Sequence, residues 1–131
     1  MSIPRILIVD DNEMNVEMAS FLLTRAGMEV TSVLDGHGAL DSVASFQPDL
    51  VLMDMQLPGT DGLELVAELR QEPRFRHLPI VALTAHALRG DRERFLAGGC
   101  DGYIAKPIDV STFAAQVEAV MRQHDGAAPE A

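Results

Sequence analysis

Leu50-Val51-Leu52-Met53 runs without a polar side chain into Asp54, and Leu57-Pro58-Gly59 follows shortly after. A short apolar run closed by turn residues reads as a strand buried on both faces. Such strands belong to parallel sheets covered by helices. Asp54 is expected as the first residue past the sheet edge, with Pro58-Gly59 turning the chain away. Alone, such an acid is a solvated turn residue, the ordinary state of Asp. What the rest of the chain places beside it decides otherwise.

The same design repeats. Arg5-Ile6-Leu7-Ile8-Val9 ends in Asp10-Asp11, Ile80-Val81-Ala82-Leu83 in Thr84, and Gly102-Tyr103-Ile104-Ala105 in Lys106-Pro107. Residues 28–33 are more mixed and read as a weaker strand near an edge. Helical spacing fills the gaps. Asn12 is a good N-cap for a helix with Val16, Ala19, Leu23 and Ala26 at helical spacing, and Gly27 stops it. Ala39, Leu40 and Val43 mark a short helix, and Pro48 ends that region. Asp61-Gly62 precedes a helix with Leu65, Val66 and Leu69 inward. Residues 72–79 read as a polar loop. A charged helix over 92–97 has few apolar anchors, chiefly Phe95 and Leu96, and Gly98-Gly99 ends it. Asp109 is read as the cap of the last helix, whose inward face is Phe113, Val117, Val120 and Met121. Residues 125–131 read as a short disordered tail, which leaves one domain over 1–124.

Strand and helix alternate five times. This predicts an α/β three-layer sandwich of flavodoxin-like (βα)5 type. The sheet is parallel with right-handed crossovers in the order 2-1-3-4-5, and ligands sit near the switch between the first and third strands.

Composition narrows the function. Net charge is −10, which argues against nucleic-acid binding and favours basic partner surfaces. No apolar run approaches a membrane span, and Met1 leads almost directly into a strand without a signal-peptide pattern, so the expected location is the cytoplasm. Cys100 is the single cysteine; it excludes an internal disulfide and reads as a small buried residue. The four histidines lack metal-ligand spacing. Lys106 is the one lysine among ten basic residues, and an ammonium is not interchangeable with a guanidinium at a crowded site.

A parallel sheet puts all its carboxyl ends on one edge. Asp10, Asp11, Asp54, Thr84 and Lys106 therefore crowd together. Each has a plainer reading alone: a helix-start acid pair, a turn hydroxyl, a surface charge. Together they form a site. Like carboxylates at close range cannot all ionise cheaply, and a hard divalent cation such as Mg²⁺ resolves the conflict with oxygen ligands. The set suits phosphoryl transfer, with the Asp54 carboxylate as nucleophile and the Lys106 ammonium and Thr84 hydroxyl meeting phosphoryl oxygens.

These motifs, Asp10-Asp11, Asp54 with Leu57-Pro58-Gly59, Thr84-Ala85 and Lys106-Pro107, resemble the receiver domain of two-component response regulators, the CheY-like superfamily. The resemblance covers about residues 5–124. It implies that Asp54 is the phosphoacceptor, charged from a phosphohistidine on a sensor histidine kinase or a histidine phosphotransfer protein. It implies that Mg²⁺ (or Mn²⁺) is bound by Asp11, Asp54 and the backbone carbonyl of Gln56, with Asp10 acting through a metal-bound water. Thr84 and Tyr103 would be the switch pair, remodelling the face of the fourth helix, fifth strand and fifth helix where a downstream effector binds. Gln56 and His86 would flank the phosphoryl group and tune its lifetime. The protein would be a switch assisting its own phosphorylation and dephosphorylation rather than an enzyme on external substrates. Single-domain regulators of cell-cycle and polarity signalling share the stretch Leu83 to Asp91, as do receivers cut from hybrid histidine kinases.

Rival classes fit less well. A Mg²⁺-dependent phosphatase with an Asp nucleophile has a second Asp where Gln56 stands. A nucleotide or flavin module lacks its glycine motif after the first strand, and the phosphate end of the sheet is acidic. A receiver-like module that binds without phosphorylation has no support, because all the required residues are present.

Overall fold

A computed structural model describes residues 3–85 and 90–127. Strands β1 (Arg5–Val9), β2 (Glu29–Val33), β3 (Leu50–Asp54), β4 (Ile80–Thr84) and β5 (Gly102–Ala105) alternate with helices α1 (Glu13–Arg25), α2 (Ala39–Phe46), α3 (Gly62–Gln71), α4 (Asp91–Ala97) and α5 (Phe113–Ala127). The strands form one parallel sheet in the order β2-β1-β3-β4-β5, as expected.

The apolar runs explain the three layers. Successive side chains of a strand point to opposite faces, so an unbroken apolar run needs cover on both. Leu7, Val9, Val51, Met53, Ile80 and Ala82 face one core, closed by α2, α3 and Phe95 of α4. Ile6, Ile8, Leu50, Leu52, Val81 and Leu83 face the other, closed by Ala19 and Leu23 of α1 and by Phe113 and Val117 of α5. Fully burying each Val, Leu, Ile, Met or Phe among them is favourable by about 1.5–3 kcal/mol. The mixed run of β2 stands at the edge and stays partly exposed.

Helix ends follow local chemistry. The Asn12 side chain accepts the Asn15 N–H at 3.0 Å, and that of Asp61 the Leu63 N–H at 2.9 Å. Gly62 opens α3 against Met55: a Cβ there would lie 2.9 Å from the Met55 Cα. The loop after Asp54 thus folds tightly onto α3.

Several boundaries differ from expectation. Asp54 is the last residue of β3, paired with Leu83, rather than the first beyond it, because the ladder to β4 extends one residue further. Ala26 caps α1 and is exposed, since the inward face ends at Leu23. Leu96 is exposed and Phe95 alone anchors α4; adjacent residues on a helix cannot share one face. Residues 72–79 contain a 3-10 turn over Pro73–Phe75. Asp109 caps the turn before α5, accepting the Ser111 N–H and hydroxyl at 2.9 and 2.7 Å. Helix α5 continues to Ala127, three residues into the stretch read as a tail. One glycine weakens a helix by about 1 kcal/mol without ending it. The rest of that stretch lies outside the described residues. Cys100 is buried, and burial pushes its thiol up to about 11.

At the pole opposite the carboxyl edge, Arg70 was not singled out by the sequence. Its guanidinium donates to the carbonyls of Phe75, Arg76, Leu78 and Gly99 at 2.7–3.1 Å and to Asp101 at 2.8 Å. Asp101 in turn accepts the Ile80 N–H at 2.9 Å. One planar fork ties the loop before β4 to the turn before β5. Lysine cannot reproduce that fan of donors. Arg70→Lys is expected to lower unfolding stability by about 2 kcal/mol, read as a lower midpoint in denaturant titration with an unchanged slope.

Candidate functional site

The register of the sheet builds the site. Val9 pairs with Met53, so the next residues, Asp10 and Asp54, stand side by side at the carboxyl edge. Thr84 ends β4 opposite Ala105, and Lys106 follows. Four residues far apart in sequence converge on one edge because the strands are parallel and in step.

Asp10 and Asp54 are 1% and 2% exposed, which is costly for carboxylates unless they are paired. Both are paired in the same way. Oδ1 of Asp10 accepts the Asn12 N–H at 2.9 Å, and Oδ1 of Asp54 accepts the Gln56 N–H at 2.9 Å. These are local turns in which an acid holds the amide two residues on. The Oδ2 atoms face one cation: Lys106 Nζ lies 3.3 Å from Asp10 and 3.2 Å from Asp54. The Lys106 backbone N–H, bonded to the Thr84 carbonyl at 2.8 Å, carries the ladder one residue past β5 and fixes where that side chain begins.

Asp11 is exposed, yet its carboxylate reaches the group. Oxygens of Asp10, Asp11 and Asp54 lie within 4.8 Å of one another. Three carboxylates against one ammonium leave two negative charges uncompensated, and every donor is a hard oxygen. That set fits a small divalent cation. Burial is the main reason the Asp54 carboxyl stands above the ordinary range. The Gln56 N–H and Lys106 pull it down, and the charge of Asp10 pushes it up.

Thr84 is fully buried. Its hydroxyl oxygen accepts from the Gln56 side-chain amide at 2.6 Å, and the same amide's oxygen accepts the Ala85 N–H at 3.1 Å. Gln56 thus touches Asp54 through its main chain and Thr84 through its side chain. The sequence places the Gln56 carbonyl at the metal and Gln56 itself beside the phosphoryl group, but not this bridge; its only signal is a long amide two positions after the acid. Tyr103 is half-buried, its ring stacked with Phe95 at 6.1 Å between centroids and 28° between planes. Phe95 was expected only as a helix anchor. His86 lies outside the described residues.

The comparisons with known proteins agree with this geometry. Residues 6–118 match the family model of the response regulator receiver domain. The chain is 44% identical over 108 residues to the polar-differentiation response regulator DivK of Brucella anthropi, covering 82% of this chain and 88% of that one, and DivK of Brucella ovis matches to the same extent. Among solved structures, a response regulator from Chloroflexus aurantiacus superposes with a TM-score of 0.86 at 32% identity, over 92% of this chain and 99% of that one. The chemotaxis response regulator CheY4 of Vibrio cholerae gives 0.85 at 28%, over 91% and 99%. With a family model spanning most of the chain and these acids at the carboxyl edge of a 2-1-3-4-5 sheet, the chain belongs to the response regulator receiver domains of two-component systems.

Proposed function

We propose that this receiver is a phosphorylation-driven switch in which Asp54 takes a phosphoryl group from a phosphohistidine of a sensor kinase or phosphotransfer protein. The observation that carries this reading is the pair of buried carboxylates bridged by a single lysine. An Asp54 oxygen forms a bond to phosphorus as the phosphorus–nitrogen bond breaks, and the imidazole nitrogen leaves with the bonding pair. Asp54 is suited to this because its turn with Gln56 holds Oδ1 and leaves Oδ2 facing Lys106. Lys106 already stands on that side, where its ammonium meets the added negative charge. Asp10, Asp11 and Asp54, with the Gln56 carbonyl, would hold Mg²⁺ or Mn²⁺, which when bound supplies charge neutralisation for the phosphoryl oxygens. The Thr84 hydroxyl and the Tyr103 ring form the switch, passing the change to the α4-β5-α5 face that an effector protein reads. The working place is the cytoplasm; no described helix is long and apolar enough to cross a membrane.

Incubation with Mg²⁺ and acetyl phosphate or phosphoramidate should add one phosphoryl mass to the intact protein. The adduct should vanish in Asp54→Asn and fall sharply when EDTA replaces the metal. A well-folded protein that gains no adduct from either donor overturns the proposal.

The electrostatics give a second expectation. Folding raises the Asp54 carboxyl above its unfolded value, so the folded chain holds that proton more tightly. The stability it contributes is full below the unfolded value and is lost as pH rises through the folded one. In EDTA, Asp54→Asn should therefore melt higher than the wild type at pH 7, and the gap should narrow on acidification towards pH 4. Lys106→Met leaves two facing buried carboxylates without their cation. It should cost about 3 kcal/mol of stability at pH 7, much of it recovered at acid pH in the same melting series.

A further inference from the structure

Gln56 is placed to do more than border the phosphoacceptor. Its side-chain amide is engaged at both ends. The Ala85 N–H can only donate, so the amide oxygen must face it, and the amide nitrogen must then face the Thr84 hydroxyl. The bridge joins the loop after β3 to the end of β4, and Thr84 is the buried member. We infer that Gln56 is a latch: it holds Thr84 and the start of the β4–α4 junction in the resting arrangement, and it must let go before the Thr84 hydroxyl can turn to a phosphoryl group on Asp54.

The geometry supports release as a coupled event. A threonine side chain moves between staggered wells, and one such step displaces its hydroxyl oxygen by about 2 Å. From a starting separation of 2.6 Å, that ends the hydrogen bond. The rigid planar amide also carries the bond to Ala85, so losing one contact loosens the other. Gln56 main chain meanwhile stays on Asp54 through the 2.9 Å bond to Oδ1. One residue therefore senses the carboxylate and restrains the hydroxyl that answers it. Gln56 itself is solvent-exposed, so the restraint has the strength of one ordinary hydrogen bond and can be overcome by a charged acceptor. It is a positioning residue acting through Thr84.

This inference rests on the phosphoacceptor reading of Asp54, and its test separates the two. The first measurement needs no phosphate donor: amide hydrogen exchange at Ala85 in the wild type, Gln56→Leu and Gln56→Ala. Loss of the latch should speed Ala85 exchange roughly two- to tenfold in both variants. The second is the rate of Asp54 phosphorylation by acetyl phosphate with Mg²⁺. It should rise by roughly the same factor in Gln56→Leu, and that gain should disappear in the Thr84→Val background, since a restraint acting through the hydroxyl cannot be released twice. Unchanged Ala85 exchange in both variants overturns the latch. So does a phosphorylation rate that fails to rise, or a rise that persists in Thr84→Val. A wild type that takes no phosphoryl group overturns the reading of the site instead, and Ala85 exchange then decides the resting latch by itself.

Discussion

A single ammonium between two buried carboxylates is the contact on which the rest of this structure turns. Without Lys106, the sheet would end in facing charges that neither solvent nor protein neutralises. Two carboxylates with almost no solvent exposure are stable only because each also holds a backbone amide two residues on. Every element serves that arrangement. The β1–β3 register sets the acids abreast, the β4–β5 register delivers the lysine, and the apolar runs anchor all of them. The residual negative charge of the cluster, carried on hard oxygens, suits a hard cation.

The site is coupled to its surroundings unevenly. On the β4 side, Gln56 joins the Asp54 turn to the buried Thr84 hydroxyl, beside the ladder bond from the Met55 N–H to the Leu83 carbonyl at 2.9 Å. Helix α4 is seven residues long and rests on Phe95, which stacks on the half-buried Tyr103. At the opposite pole, Arg70 locks the loop before β4 to the turn before β5. Arg70 thus holds the entry of β4 through a fan of donors, whereas the Thr84 hydroxyl at its exit is bound by the side chain of an exposed glutamine. A switch needs such a contrast, because a small local change is amplified only where a segment has an alternative arrangement available.

Much of this was legible in the chain. Unbroken apolar runs at 6–9, 50–53 and 80–83 demand cover on two faces, and that requirement alone selects a parallel sheet between helix layers. The polar residues that end the runs then fall on one edge by topology. What escaped the reading depended on side chains reaching across the fold. Nothing local marks Arg70 as different from the other arginines; its four carbonyl partners are gathered only once two loops and α3 meet. Phe95 and Leu96 looked equivalent as anchors, and only the facing of α4 separates them. The bridge from Gln56 to Thr84 spans 28 positions.

The order of elements, the two-sided burial of the strands and the identity of the acids, hydroxyl and lysine at the sheet edge follow from the sequence by itself, because periodicity and turn chemistry act over a few residues. Distances do not. That Asp54 closes β3 rather than following it, that Lys106 stands nearly midway between Asp10 and Asp54, and that Gln56 reaches Thr84 were decided by the tertiary structure. These depend on strand register and on the packing of loops separated by tens of residues, and no short-range pattern encodes such long-range closure.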